Sequence, residues 1–118
     1  MRAPILAIAL ISAAASSSAG TSTLTTPSYT ITVEVRCPEG NVTCDDVKYV
    51  GVSKKSGKSI TRTGRTVHAI GADGVTPSRF LGYAFTNSST VYFVSEEGEL
   101  RVTQGTNVLV QERGVWKW

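Results

Sequence analysis

Residues 79–112 read RFLGYAFTNSSTVYFVSEEGELRVTQGTNVLVQE, and their rhythm decides the fold. Arg79–Thr86 is apolar on both sides, as a central strand requires, and Asn87-Ser88-Ser89 is a turn. Thr90–Ser95 is the next strand, and Glu96-Glu97-Gly98 turns it into Glu99–Thr103, where Leu100 and Val102 face inward. Gln104-Gly105-Thr106 reverses the chain once more into Asn107–Glu112, where Val108 and Val110 alternate with polar partners. Successive strand side chains point to opposite faces, so period-two alternation marks a strand with one buried side. Turns recurring every ~8–12 residues mark an antiparallel sandwich or a small barrel.

The same reading extends in both directions. Downstream, Gly114 separates a terminal Val115-Trp116-Lys117-Trp118. Upstream, Tyr29–Arg36 alternates strictly, with Tyr29, Ile31, Val33 and Val35 on the inner face. Val47–Ser53 is a second strand with Tyr49 and Val50 as packing candidates, and Lys54-Lys55-Ser56-Gly57 turns it back into Lys58–Thr63. Gly64 breaks that arm, Arg65–Ile70 resumes it, and Gly71–Gly74 with Pro77 forms a wide loop. No stretch after residue 19 has a helical period. The expected fold is all-β: a small antiparallel β-sandwich or barrel of about seven or eight strands ending in a C-terminal meander.

The other end of the chain speaks about destination. Arg2 precedes an apolar run, Ala3–Ala15, and the small residues Ser17-Ser18-Ala19 fit a signal-peptidase site. The run falls short of the ~20 apolar residues a membrane-spanning helix needs. Residues 1–19 are therefore read as a signal peptide, 20–28 as a flexible N-terminal segment and 29–118 as a single β domain. The destination is secreted: extracellular, or periplasmic in a bacterium. Cys37 and Cys44 are the only cysteines and are expected to form a disulfide, which agrees with an oxidising compartment. Two thiolates without nearby histidines make a poor zinc site, and the spacing is not that of thiol oxidoreductases. No metal, cofactor or membrane span is expected.

The formal charge of +3 falls to +2 once Arg2 leaves with the signal, an excess too small to imply a nucleic-acid partner. Its distribution is more telling. From Val47 to Ala72 there are six basic residues (Lys48, Lys54, Lys55, Lys58, Arg62 and Arg65) and no acid. Hairpin geometry gathers several of them at one end of the sheet, where they attract an anionic glycan or an acidic protein face. The competing reading is a solvated hairpin whose lysines discourage edge-to-edge pairing. Trp116 is read as closing the core and Trp118 as an aromatic contact for a partner. Asn41-Val42-Thr43 and Asn87-Ser88-Ser89 are N-glycosylation sequons, both in turns.

Catalytic signals are sparse. Glu96, Glu97 and Glu99 flank a turn rather than a cleft, whereas paired carboxylates of a glycosidase need a defined separation across the substrate. Asp45-Asp46 lack the further oxygen ligands of a calcium site. His68 is the only histidine; with Arg65 and a carboxylate supplied by the fold it would support acid–base hydrolysis of RNA or glycan. No nucleophile elbow or phosphate-binding glycine loop is present. Ser56-Gly57-Lys58-Ser59-Ile60 departs at its last position from the Ser-Gly-x-x-Tyr of some exported β-barrel lysozyme inhibitors, leaving a similarity of size and class alone. The expected function is a non-catalytic binding protein of the inhibitor, immunity or effector type. Its basic hairpin, Lys54, Lys55, Lys58, Arg62 and Arg65, together with Trp118, would meet an anionic or protein partner. The alternative is a small secreted hydrolase acting through His68. The sequence leaves the oligomeric state open.

Overall fold

A computed structural model describes residues 20–118; the expected signal peptide, 1–19, lies outside the described residues. Nine strands follow in chain order: β1 (Gly20–Thr25), β2 (Tyr29–Val35), β3 (Val47–Ser53), β4 (Ser59–Ile70), β5 (Pro77–Asn87), β6 (Thr90–Ser95), β7 (Glu99–Gln104), β8 (Asn107–Arg113) and β9 (Val115–Lys117). All pair antiparallel in one sheet, in the order β8-β7-β6-β5-β4-β3-β2-β1-β9. Every neighbour up to β8 is a hairpin partner in sequence, so the sheet is a meander. It curls until its ends nearly meet. The closing element is one bent segment: β8 pairs with β7, and its continuation β9 pairs with β1 through Thr23–Lys117, Leu24–Trp116 and Thr25–Val115.

Gly114 makes that hand-over possible. Its amide donates to the Gly98 carbonyl at 2.8 Å, and a Cβ there would lie 2.1 Å from the Thr25 carbonyl oxygen. Only a residue without a side chain lets the two backbones cross so closely.

Register sorts the side chains. Leu24, Ile31, Val33, Val47, Tyr49, Tyr83, Phe85, Val94, Leu100 and Val102 face inward and form the buried core. Tyr49 packs its ring 4.8 Å from Phe85 and 5.5 Å from Tyr92. The outer face carries threonines and charges, the pattern of a sheet wet on one side. Val50 is half-buried on that outer face while Tyr49 alone enters the core.

Residues 20–28 depart from the flexible segment expected of them. Gly20–Thr25 is a strand paired on both sides, Leu24 is fully buried, and the Thr26 hydroxyl accepts a hydrogen bond from the Tyr29 amide at 3.1 Å. A single leucine among threonines gives the segment little to bury, but β-branched threonines suit a strand. Two neighbouring strands supply the pairing the segment cannot supply alone. Gly64 likewise does not break β4. It lies opposite Phe85, where a Cβ would meet the Ala84 carbonyl and the Phe85 ring, so it marks close packing within a continuous strand. Cys37 and Cys44 are disulfide-bonded and pin the long β2–β3 connection, with Arg36 and Asp46 paired at 2.8 Å across its base.

Candidate functional site

A meander places alternate turns at opposite ends of the barrel. One end carries the β1–β2, β3–β4, β5–β6 and β7–β8 turns, and these are stitched in pairs. Lys54 donates its amide to the Ser28 carbonyl at 2.9 Å, joining the first two turns. The Gln104 side-chain amide donates to the Ser89 hydroxyl at 3.3 Å, joining the last two. Between the pairs a cleft of about 420 Å³ opens into the barrel mouth.

Each wall has a local cause. Tyr29, Ser53 and Ile60 come from the strand ends around the β3–β4 turn, and Lys58 stands in that turn. Tyr49 reaches the cleft from β3 because Gly51, two residues on, has no Cβ; one would lie 2.5 Å from the Tyr49 hydroxyl. Tyr92, Leu100 and Val102 close the floor from β6 and β7. On β8 the register slips between Val102 and Thr103, so that Leu109 and Val110 together oppose Val102. This bulge turns both side chains to the cleft and interrupts the alternation expected of Val108 and Val110, leaving Val108 exposed. Among the described residues the outer edge of β8 has no strand partner.

Burial pushes the Tyr49 phenol pKa well above its ordinary value, with Tyr92 and Tyr29 adding to the effect. The Tyr49 phenol therefore stands neutral, and Tyr29 and Tyr92 line the same space. No carboxylate lines the cleft. Glu112, nearby, is held below the usual carboxylate range by hydrogen bonds from Ser28 and Thr26 and by the Lys54 charge; its Oε1 accepts the Ser28 amide at 3.0 Å.

The basic residues singled out in the sequence separate into groups. Lys54, Lys55 and Lys58 share one exposed turn at the rim of this cleft. Arg62 pairs with Tyr49 and so takes the inner side of the sheet, its guanidinium donating to the Thr61 carbonyl at 2.7 Å. Arg65 takes the outer side, and three residues along β4 it leaves His68 on the other face. Trp118 is exposed and lies apart from the lysines, stacked on Trp116 at 5.0 Å and 17°. Trp116 is half-buried and donates its indole N–H to the Ser95 carbonyl at 3.1 Å, toward the opposite end. Asn41 is exposed in the disulfide loop, and Asn87 is half-exposed at the end of β5.

His68 also sits toward that opposite end, in an aromatic row. Its ring meets Phe80 edge-on at 5.5 Å, Phe80 meets Tyr83 at 5.1 Å, and Tyr83 meets Trp116 at 6.3 Å. Its Nε2 lies 3.2 Å from the Thr66 hydroxyl, and its Nδ1 is buried without a partner. Arg65 does not share its face, and His68 lines neither the cleft at the barrel mouth nor those beside Phe80 and Arg65. Among these residues there is also no cluster of potential metal ligands, and no helix long and apolar enough to cross a membrane.

The tyrosine wall escaped the sequence reading. Inward tyrosines look like any core aromatic, and the β8 bulge has no sequence mark. Compared with known proteins, the chain matches no family model, no curated protein and no solved structure.

Proposed function

We propose that the protein is an exported, non-catalytic binding protein of the inhibitor, immunity or effector type, engaging an anionic partner through the open end of its barrel. One observation carries the reading: Lys54, Lys55 and Lys58 stand together on one exposed turn, at the rim of the apolar cleft. Neither ion pair among the described residues involves these lysines, and all three are exposed, Lys54 with the Glu112 carboxylate near it. Charge of one sign beside apolar surface steers an oppositely charged partner and then holds it. The disulfide and the apolar leader support an oxidising destination.

The partner is an acidic protein face or an anionic glycan. The test is capture from extracellular fluid on the immobilised protein at low and high salt, repeated with Lys54→Glu, Lys55→Glu and Lys58→Glu combined. A stoichiometric partner should be retained at low salt, released at high salt, and lost by the triple variant. Retention that ignores both salt and the triple substitution would remove the basic turn from the interface. The hydrolase alternative gains no support from the surroundings of His68.

A further inference from the structure

We infer that the cleft beneath the basic turn is a binding site for a small anionic amphiphile: an alkyl or aryl chain ending in a carboxylate. This goes beyond the macromolecular partner proposed above. It shares Lys58 with that surface but rests on the cleft itself, so the two ideas stand or fall by different measurements.

Four observations support it. The mouth of a β-barrel is where small ligands of such folds lodge, and 420 Å³ lies within the ~300–1,000 Å³ of ordinary ligand pockets. The walls suit an apolar body: Ile60, Leu100, Val102, Leu109 and Val110 are aliphatic, and Tyr29, Tyr49 and Tyr92 add ring faces. The lining charge is one-sided, because Lys58 lines the space and no acid does; Lys54 and Lys55 share its turn, and Glu112 lies outside the lining beside Lys54. A cationic or zwitterionic headgroup therefore finds no complement there. Finally, the Tyr49 phenol, kept neutral because burial raises its pKa, lines the cleft and offers a hydrogen-bond donor to an acceptor oxygen on a bound molecule.

A second copy of the chain is a poor occupant, since docking two open ends would oppose two sets of lysines. A flexible chain with one anionic head fits both the volume and the sign.

The probe is dodecanoate below its micelle concentration, titrated into the purified protein and followed by amide NMR and calorimetry. Expected are one site per chain and shifts centred on Tyr29, Gly51, Ile60, Tyr92 and Leu109. Dodecyltrimethylammonium, with the same chain and the opposite charge, should bind at least about tenfold more weakly. Lys58→Glu should weaken dodecanoate by a similar factor. Leu109→Glu should do so too, and because Leu109 is 54 % exposed the fold tolerates that charge. Unchanged circular dichroism and melting would check this. Shifts scattered over the surface, equal affinity for the cation, or no saturable binding would overturn the inference. Combined Lys54→Glu and Lys55→Glu substitution separates the two ideas: loss of the captured partner with dodecanoate still bound leaves the cleft site standing alone.

Discussion

Replacing Gly114 by alanine should detach the strand that closes the barrel. The new Cβ would stand 2.1 Å from the Thr25 carbonyl oxygen, 2.7 Å from its carbon and 2.9 Å from the Thr26 Cγ2. Two of these three atoms are backbone, so no rotamer change removes the clash. β9 must therefore move off β1, loosening its pairs with Thr23, Leu24 and Thr25. The half-burial of Trp116 contributes about 1–1.5 kcal/mol, half the value for a fully buried large side chain. Its hydrogen bond to the Ser95 carbonyl contributes about 1 kcal/mol more. The expected loss is thus about 2–2.5 kcal/mol, a sizeable share of the ~5–15 kcal/mol that holds a small domain together. Trp116 and Trp118 are the only tryptophans, so fluorescence reports on this segment directly. In urea the midpoint should fall by about 1–2 M, given slopes of ~1–3 kcal/mol/M, and native emission should shift to the red. Gly51→Ala is the matched comparison. Its Cβ meets only the Tyr49 phenol tip, which can swing, so its loss should be smaller and the tryptophan emission unchanged. If Gly114→Ala kept wild-type emission and midpoint, the barrel would not close through this crossing.

Other perturbations probe separate parts of the fold. Reducing the Cys37–Cys44 disulfide should destabilise the chain by about 2.5 kcal/mol on the loop-entropy estimate, lowering its melting temperature by about 10 °C or more; an unchanged melt would make the bridge energetically idle. Ser88 is the only non-glycine residue at positive φ (56°) among the described residues, and left-handed backbone costs an L-residue about 1–2 kcal/mol. Ser88→Gly should therefore raise stability by about 0.5 kcal/mol after the entropy of glycine is counted, readable as a melting point about 2–4 °C higher. Burial raises the Tyr49 pKa above 10.0, so the folded chain keeps a proton that the unfolded chain releases in base. Stability should be intact below pH 10 and fall as pH climbs from there toward the higher folded value. Tyr49→Phe should flatten that fall, with a residue from Tyr83, which burial and then Glu96 raise in the same direction. An equally steep alkaline loss in Tyr49→Phe would contradict the burial of this phenol.

The strands from Arg79 onward were legible because each carries its own pattern and is flanked by its own turn residues. Hairpin partners adjacent in sequence need no distant information. What stayed hidden depended on contacts far apart in the chain. Leu24 is a core residue only because Trp116, more than ninety positions away, comes to lie opposite it. Gly64 reads as a break until Phe85 is seen lying across it. The Leu109 bulge arises from how β8 meets β7, and a run of apolar residues does not say which of them will be the extra one. The candidate site inherits this limit. Its lysines were visible as a charge run in a turn. Its tyrosines were visible only as strand residues, with nothing to say that three of them share one cavity.

The closure also weighs the two readings of the lysines against each other. Charges that discourage edge-to-edge pairing belong on an edge strand or pointing along it. Here β3 and β4 are interior strands, each paired on both sides, so the turn joining them has no edge to guard. Among the described residues the sheet ends on β8 and β9, each paired on one side alone; β9 carries Lys117 and β8 ends in Glu112 and Arg113, but the first three residues of β8, Asn107, Val108 and Leu109, carry no charge. Val108 and Leu109 are each more than half exposed. The lysines of the β3–β4 turn thus guard no edge, while the first half of β8 has one and goes without such charge. Leu109 and Lys58 instead line the same cleft. An apolar wall and a basic rim around one opening are what an anionic, partly apolar partner requires, and this arrangement favours binding over edge protection as the role of the basic turn.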